Sequence, residues 1–292
     1  MDDWLHAYRL WLTEEGKVSE STMTSYLHDL QRFSAYLQAR QLQATEVTQE
    51  ALETYLAELA QQRSAATVTR TVSSLKSIYR FAERTGRIAH NPAKGLHGSK
   101  SEKKYPNILS NREVDLLLAQ PNCTDAKGLR DHAMLELLYA TGIRVSELIA
   151  LDVGDVNGEL GFLRCTNNGK TRMIPIYTTA IQAVRSYVQT VRPFLLQEAE
   201  EKALFVNMNG SRMTRQGFWK IVKYYQEKAG LTQEITPHIL RHSFAVHLLE
   251  NGADLQSIQE ILGHADIAST QMYANIIKRR LLTVYSRAHP KA

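Results

Sequence analysis

The chain has 292 residues, 43% of them hydrophobic and 22% charged, and carries a formal net charge of +5. This length suffices for two domains of ordinary globular composition, and the basic excess is compatible with a nucleic-acid partner without establishing one. The N-terminus lacks a basic segment before an apolar run, and no stretch approaches ~18 apolar residues, so we expect neither a signal peptide nor a membrane span. Cys123 and Cys165 lack metal-ligand spacing and are interpreted as reduced packing residues of a cytoplasmic protein.

Four helices are predicted over the first ninety residues, because apolar side chains recur there at steps of three and four residues. The predicted segments cover residues 2–14, 20–39, 48–62 and 64–84. Ser64 is suited to cap the fourth helix, and Thr85-Gly86 is suited to end it. We therefore expect a helical N-terminal domain over residues 1–94.

Basic side chains lie on the outward faces of these helices and in the segment that follows. Residues 95–107 combine Gly, Ser, Lys and Pro without periodicity, which is typical of a linker. These cations either form a solvated surface or contact the phosphates of a nucleic acid. The candidates for DNA contact are Arg63, Arg70, Lys76, Arg80, Lys100, Lys103 and Lys104.

A second domain is predicted over residues 108–292, mostly helical with a small antiparallel sheet. It begins with a capping box from Ser110 to Glu113, and a long helix from about Lys127 to Ala140 ends at Gly142. Further helices are predicted at about residues 178–198, 214–229, 237–250, 254–262 and 275–286.

The sheet is predicted from short runs rich in β-branched and apolar residues. Residues 160–165 and 171–176 are two such runs, and the Asn-Asn-Gly sequence at 167–169 is a strong hairpin-turn signal between them. Residues 203–206 are a candidate further strand.

A helix start at Thr236-Pro237 precedes His238 and Arg241, since Thr favours the cap position and Pro the first helical position. The two side chains are three residues apart and therefore share one face of the helix. Free backbone N–H groups at such a start suit a phosphate, although His-x-x-Arg also arises by chance. His242 points about 100° away and is expected to pack or to hydrogen-bond.

Arg144 and Lys170 are two further candidate phosphate ligands. Arg144 lies in A-T-G-I-R-V-S-E-L with Glu147 three residues on. The two residues either form a surface ion pair of little energetic value, or Glu147 holds the Arg144 guanidinium in place for bidentate contact with phosphate oxygens. Lys170 follows the Asn-Gly turn, where a lysine serves either solubility or function.

His264 and Tyr273 lie in L-G-H-A-D-I-A-S-T-Q-M-Y, where Gly263 ends one helix and a second begins at Asp266 or Ser269. Tyr273 is either a core aromatic, like most of the thirteen tyrosines, or an oxygen nucleophile. Arginine, lysine and histidine side chains together suit a charged phosphorus centre. None of these motifs contains a carboxylate cluster with metal-ligand spacing, so we expect no metal and no cofactor.

Taken together, these motifs resemble those of the tyrosine recombinase (phage integrase) family. The ordered family signature is Arg, Lys, His-x-x-Arg, His or Trp, and Tyr. It falls, in order and at similar intervals, on Arg144, Lys170, His238, Arg241, His264 and Tyr273. The similarity covers the whole chain and implies a four-helix, SAM-like core-binding domain, a linker and a catalytic domain.

Within the family, the length and residues 285–292 are most similar to the XerC/XerD type, nearer XerD. One departure is Tyr273-Ala274-Asn275-Ile276, where that type usually has Tyr-Thr-His-Val. Because the tyrosine is kept, the departure concerns the local contacts of this helix and leaves the chemistry intact.

The resemblance implies metal-free cutting and rejoining of DNA. Tyr273 would attack the scissile phosphate, giving a 3′-phosphotyrosyl bond and a free 5′-hydroxyl, while His238 accepts the phenolic proton. Lys170 would protonate the leaving 5′-oxygen.

The same resemblance implies roles for the remaining site residues. Arg144, supported by Glu147, and Arg241 would hold the non-bridging phosphate oxygens in place of a metal. His264 would donate a hydrogen bond to a phosphate oxygen.

The implied partners are double-stranded recombination sites and further recombinase subunits. Four protomers, of this chain alone or with a paralogue, would assemble on two duplexes, and the helix after Tyr273 would dock on a neighbour. The implied role is resolution of chromosome dimers at cell division, with a septal DNA translocase of the FtsK type as candidate activator.

Three alternatives remain: a mobile-element integrase of the same family, a type IB topoisomerase, and a catalytically silent DNA-binding protein. The lack of an arm-site-binding domain before the helical one favours the Xer type over an integrase. The helical N-terminal domain and long C-terminal tail disfavour the topoisomerase, and the complete signature disfavours the silent protein.

Overall fold

The structure, a computed structural model, describes residues 1–15, 18–98, 106–167, 169–198, 200–264, 266–267 and 269–278. The chain divides into two compact units, Met1–Lys104 and Tyr105–Ala292. Both units are mainly helical, and the second contains a three-stranded antiparallel sheet, so the predicted fold class is confirmed. Within the described ranges, no helix is both long and apolar enough to cross a bilayer.

In its described residues the first unit contains four helices: α1 (Asp2–Glu15), α2 (Glu20–Ala39), α3 (Gln49–Gln62) and α4 (Ala65–Arg84). Ser19, Thr48 and Ser64 cap α2, α3 and α4, and each side chain accepts a hydrogen bond from the backbone N–H three residues on. The apolar faces pack into one core, in which Phe33 and Tyr79 are fully buried. All four predicted helices are confirmed.

The second unit begins with the predicted capping box, since Ser110 and Glu113 each bond the other's backbone N–H. Its long central helix, α6, ends at Gly142, whose φ of 57° lies in the left-handed region that favours glycine. The helices are α5 (Asn111–Leu118), α6 (Ala126–Thr141), α7 (Val145–Ala150), α8 (Thr178–Thr190), α9 (Arg192–Leu195), α10 (Arg215–Lys228), α11 (Pro237–Glu250) and α12 (Leu255–Leu262), followed by helical residues 269–278.

The sheet has the order β1-β2-β3, with β1 (Val156–Asn157), β2 (Phe162–Asn167) and β3 (Lys170–Pro175). The pairing of Asn167 with Lys170 leaves a two-residue turn between β2 and β3, as the Asn-Gly signal predicts. Gly169 has a φ of 74°, as such a turn requires, and Asn168 lies outside the described residues. This hairpin places Lys170 at its tip.

The prediction of a strand over residues 203–206 is wrong. This stretch makes two isolated bridges, between Asp152 and Ala203 and between Val206 and Arg212, and the third strand of the sheet is β1 instead. All four residues are buried, because the stretch runs through the core and bonds neighbouring loops. The apolar residues of this stretch therefore reflect burial in the core and do not indicate a strand of the sheet.

The predicted helix over residues 178–198 is divided into α8 and α9. Pro193 lacks an N–H and its ring clashes with the carbonyl four residues earlier, so α8 cannot continue through it. Residues 269–278 are helical, in agreement with the expected helix start at Asp266 or Ser269, and they run without a break into the predicted helix at 275–286. The part of that helix beyond residue 278 lies outside the described residues.

Candidate active site

Three consecutive backbone carbonyls at the end of α12, those of residues 261–263, each accept a hydrogen bond from a different arginine. The donors are Arg172 at 2.8 Å, Arg241 at 2.7 Å and Arg144 at 3.4 Å, in that order. Such carbonyls have no partner within the helix and lie at the negative end of its dipole. Arg241, which is 4% exposed, also donates to the Gly142 carbonyl at 2.6 Å, so it joins the ends of α6 and α12.

Glu147 is a buried carboxylate that connects these groups. It accepts hydrogen bonds from Arg144 Nη1 at 3.1 Å and from the Arg144 backbone N–H at 2.8 Å. Arg172 contacts both carboxylate oxygens, at 3.1 and 2.8 Å, and Asn167 Nδ2 contacts one at 2.8 Å. Burial alone would raise the pKa of Glu147, but these hydrogen bonds outweigh it and hold the pKa at about 2. Glu147 thus has two arginine partners: Arg172 contacts both carboxylate oxygens, and the expected Arg144 contacts one from its guanidinium.

Tyr273 is fully buried in a small core formed by α11, α12 and residues 269–278. Its hydroxyl lies 3.0 Å from Nδ1 of His242. The sequence predicts that His242 packs or hydrogen-bonds, and Tyr273 is its hydrogen-bond partner. The ring of His264 stacks on Tyr273, with centroids 6.3 Å apart and planes inclined by 15°. Nδ1 of His264 lies 3.0 Å from the hydroxyl of Thr270.

Burial changes the protonation of the groups around Tyr273. It raises the pKa of the phenol, against the opposing effect of Arg241 and Arg144. Burial, followed by nearby positive charge, lowers the pKa of His242 and of His264 to about 4. Both imidazoles are therefore neutral at pH 7. Arg241 stays protonated, although burial and Arg144 lower its pKa to about 10.

An open groove of about 910 Å³ exposes part of this cluster, and Arg144, Lys170, Arg172 and His264 contribute to its lining. Lys170 is exposed at the start of β3, and the Arg144 side chain is 34% exposed. His238 is exposed in the first turn of α11. Hydrogen bonds, ring stacking and electrostatic interaction bring together five of the predicted residues: Arg144, Glu147, Arg241, His264 and Tyr273.

The predicted DNA contacts of the first unit differ in their surroundings. Arg70 donates from Nε and Nη2 to the two carboxylate oxygens of the buried Asp29, at 2.8 and 2.7 Å. This fork holds α4 against α2, while the Arg70 side chain stays 42% exposed, so its contact with DNA remains a prediction. Arg63 and Arg80 are exposed, and Lys76 lines a small pocket of about 240 Å³ with Arg80. Outside the described residues lie Lys100, Lys103 and Lys104.

Arg172 and Asn167 are site residues that the sequence reasoning missed. Arg172 is two residues after Lys170 on β3, and Asn167 is opposite Lys170 on β2. The period of two along a strand places Lys170 and Arg172 on one face, which is a usable signal. No local pattern, however, pairs Arg172 with Glu147, which is 25 positions away.

Comparison with known proteins identifies the family. The Phage integrase family pattern matches residues 107–280, and the pattern of the phage integrase N-terminal SAM-like domain matches residues 5–86. A protein of Staphylococcus epidermidis described as tyrosine recombinase XerD is 41% identical over 295 residues, with all of both chains covered. A protein of Oceanobacillus iheyensis with the same description is 42% identical over 297 residues, covering 100% of this chain and 98% of the other.

Solved structures agree with this assignment. The crystal structure of XerA recombinase is 26% identical, covers 99% of each chain and has a TM-score of 0.56. The post-cleavage complex of XerH site-specific recombinase with a palindromic difH substrate is 23% identical, covers 90% of this chain and 79% of the other, and has a TM-score of 0.78. At that identity the second likeness concerns the fold alone.

The chain therefore belongs to the phage integrase family of tyrosine recombinases, and it is a site-specific recombinase. The resemblance to the XerD type is confirmed by relatives of about 40% identity over the full length.

Proposed function

We propose that this recombinase cuts and rejoins double-stranded DNA through a covalent bond between Tyr273 and a 3′-phosphate. One observation carries the proposal: the Tyr273 hydroxyl is hydrogen-bonded to His242 and lies in the field of Arg241 and Arg144, which oppose the rise that burial causes in the pKa of the phenol. A phenol has an ordinary pKa near ~10 and needs such help to act as a nucleophile at pH 7.

In the proposed cleavage step, the Tyr273 oxygen forms a bond to phosphorus as the bond from phosphorus to the 5′-oxygen breaks. The phenolic proton passes to an imidazole, and Lys170 supplies a proton to the leaving 5′-oxygen. Rejoining reverses these transfers, with a 5′-hydroxyl of a partner strand as the attacking group. Because the tyrosyl bond conserves the phosphodiester energy, the cycle consumes no nucleotide.

Two histidines are candidates for the proton acceptor. His238 is the residue that the family signature assigns, and it is exposed at the start of α11. His242 is already 3.0 Å from the phenol and has a pKa lowered to about 4 by burial and by neighbouring positive charge. We keep His238 as the acceptor in the DNA-bound state and assign His242 to orienting the tyrosine, because a base with so low a pKa is a weak proton acceptor.

Arg144 and Arg241 are proposed to stabilise the charge that develops on the non-bridging oxygens. A guanidinium has five N–H donors, so each terminal nitrogen of Arg241 keeps a second N–H beyond its bond to a backbone carbonyl. Arg144 is partly exposed at the groove, and His264 lines the same groove as a further hydrogen-bond donor. Donors fixed in this way need no reorganisation when the charge appears.

The proposed organisation is a core-binding domain over residues 1–94, a basic linker over 95–107 and a catalytic domain over 108–292. The relatives support a role on DNA: XerH is described as bound to its difH substrate, before and after cleavage. We propose a tetramer, of this chain or with a paralogue, on two recombination sites. The cellular role we favour is resolution of chromosome dimers in the cytoplasm during cell division and chromosome partition, with activation by a septal translocase.

A nicked suicide substrate carrying a chromosome-dimer-type site tests this proposal. Cleavage releases the short strand between the scissile phosphate and the nick, which carries the free 5′-hydroxyl. Because this strand diffuses away, rejoining is prevented, and the covalent protein–DNA adduct accumulates and migrates separately on a denaturing gel. Tyr273→Phe should abolish the adduct and keep site binding, because the ring still packs while the nucleophilic oxygen is gone. Tyr224→Phe is the matched control, since Tyr224 is 50% exposed on α10. An adduct that survives Tyr273→Phe would assign the nucleophile to another residue.

His238→Ala and His242→Ala separate the two imidazoles on the same substrate. Loss of His238 should slow cleavage and shift the pH dependence of the rate. Loss of His242 should slow cleavage without moving that profile, because an orienting residue does not titrate in the measured range. The reverse pattern would make His242 the proton acceptor.

A further inference from the structure

Arg172 is tied to the site by hydrogen bonds from three of its nitrogens. Nε donates to the Ile261 carbonyl at 2.8 Å, and the two terminal nitrogens donate to the two oxygens of Glu147 at 3.1 and 2.8 Å. Its side chain is 16% exposed. The guanidinium is thus engaged on three sides by groups fixed in α12 and α7, which anchors strand β3 to both helices.

The partner strand is anchored to the same carboxylate. Asn167, the last residue of β2, donates from Nδ2 to Glu147 at 2.8 Å. Asn167 pairs with Lys170 across the hairpin, and Arg172 is two residues after Lys170 on β3. Both strands are therefore tied to Glu147 close to Lys170: β3 at two residues after it, and β2 at the residue paired with it. Glu147 in turn holds Arg144.

Gly263 shows how closely Arg172 packs on the end of α12. A Cβ at this position would lie 3.0 Å from Cζ and Nη1 of Arg172 and 3.1 Å from Nε. The guanidinium therefore lies against the glycine backbone, immediately before His264. The φ of 62° at Gly263 also favours glycine there.

We propose that Arg172 is a positioning residue that sets the ammonium of Lys170 relative to Arg144, with Asn167 as its counterpart on β2. The inference rests on the proposed function, in which Lys170 gives a proton to the leaving 5′-oxygen. A lysine on four flexible methylenes at an exposed hairpin tip reaches many positions. Fixing the strand at the second residue along the same face confines the root of that side chain.

The chemistry of the leaving group distinguishes positioning of Lys170 from direct stabilisation of the phosphate. In a DNA with sulfur in place of the bridging 5′-oxygen, the P–S bond breaks to give a thiolate, which leaves without a proton. A defect in proton donation then disappears, whereas a defect in stabilising the non-bridging oxygens remains.

The experiment measures single-turnover cleavage of two nicked suicide substrates, one with oxygen and one with sulfur at the scissile 5′-position. The variant is Arg172→Lys, which keeps the charge but cannot hold both Glu147 and Ile261. We expect about 100-fold slower cleavage of the oxygen substrate, as for an ångström-scale misplacement, and near wild-type cleavage of the sulfur substrate. Lys170→Ala should give the same pattern, and Arg144→Ala should be slow on both substrates.

Arg212→Lys is a matched control for the loss of a structural fork. Arg212 donates to the carbonyls of Ile149 and Leu151 at 3.0 Å each and to Asp152 at 2.5 Å, so its bonding resembles that of Arg172. It should leave cleavage of both substrates unchanged. Asn167→Ala provides a second variant with a milder structural change and should also slow the oxygen substrate selectively.

The outcomes separate the inference from the function on which it rests. If the wild type cleaves neither substrate, the proposed function fails. If the wild type cleaves both, and Arg172→Lys and Asn167→Ala are slowed equally on both with site binding retained, Arg172 does not act through Lys170. If Arg172→Lys fails to fold, the Asn167→Ala variant provides the test. Cleavage of the oxygen substrate by Asn167→Ala at the wild-type rate would then overturn the inference.

Discussion

Replacing Arg241 with Ala is expected to impair both stability and DNA cleavage, whereas replacing Arg144 is expected to impair mainly cleavage. The two residues have the same proposed role toward phosphate but different surroundings. Arg241 is 4% exposed and bonds the Gly142 and Leu262 carbonyls, at 2.6 and 2.7 Å. The Arg144 side chain is 34% exposed and bonds Glu147 at 3.1 Å.

The expected loss of stability follows from these contacts. Two hydrogen bonds from a charged donor contribute about 1.5–3 kcal/mol each, so their loss costs about 3–6 kcal/mol. Burial lowers the pKa of Arg241 to about 10, and removing this buried cation returns roughly 3 kcal/mol. The net destabilisation of Arg241→Ala is therefore about 0–3 kcal/mol, centred near ~1.5 kcal/mol. For the partly exposed Arg144 we expect no more than about 1 kcal/mol.

Urea unfolding followed by circular dichroism measures the free energy of unfolding. Single-turnover cleavage at saturating protein measures the rate of the chemical step. Loss of either arginine should slow cleavage about 10²–10³-fold, as for one donor to a developing oxyanion, with a smaller effect on site binding. Arg164→Ala is the control, since Arg164 is 57% exposed and pairs with Asp155 away from the groove lining.

Two results would contradict these expectations. If Arg241→Ala has the same free energy of unfolding as the wild type, the hydrogen bonds from Arg241 to the two helix-end carbonyls do not stabilise the fold. Equal losses in affinity and rate for both variants would make the arginines ordinary DNA contacts, with no special stabilisation of the transition state.

Acidification from pH 6.5 to 4 should destabilise the protein, because the folded-state pKa of His242 and His264 is lowered to about 4 and the unfolded chain takes up protons first. His242→Asn should flatten this dependence, and an unchanged urea midpoint profile would contradict it. Gly142→Ala should cost about 2–4 kcal/mol, since its φ is 57° and a Cβ would lie 2.3 Å from Phe244. Gly230→Ala, with a φ of 67° and open space, should cost about 1–2 kcal/mol, and equal losses would refute the packing argument. Cleavage should persist in excess EDTA and without ATP, since guanidinium groups carry the positive charge; a magnesium requirement in the suicide assay would disprove this.

The amino-acid sequence determined the features that depend on neighbouring residues. Ser64 and Ser110 cap helices where predicted, and Gly142 ends α6, because capping and left-handed φ values are properties of a few consecutive residues. The Asn-Gly turn likewise predicted the hairpin that carries Lys170. The order and spacing of the signature residues indicated the family without any knowledge of contacts.

The contacts that hold the site together could not be read from neighbouring residues. That Arg241 bonds two helix ends, that His242 bonds Tyr273 and that Arg172 shares Glu147 with Arg144 are contacts between segments far apart in the chain. Local propensity carries no information on such pairs, because burial in the assembled core sets which donor meets which acceptor. The same reason explains the error at residues 203–206, whose apolar run reflects burial in that core and not pairing in the sheet.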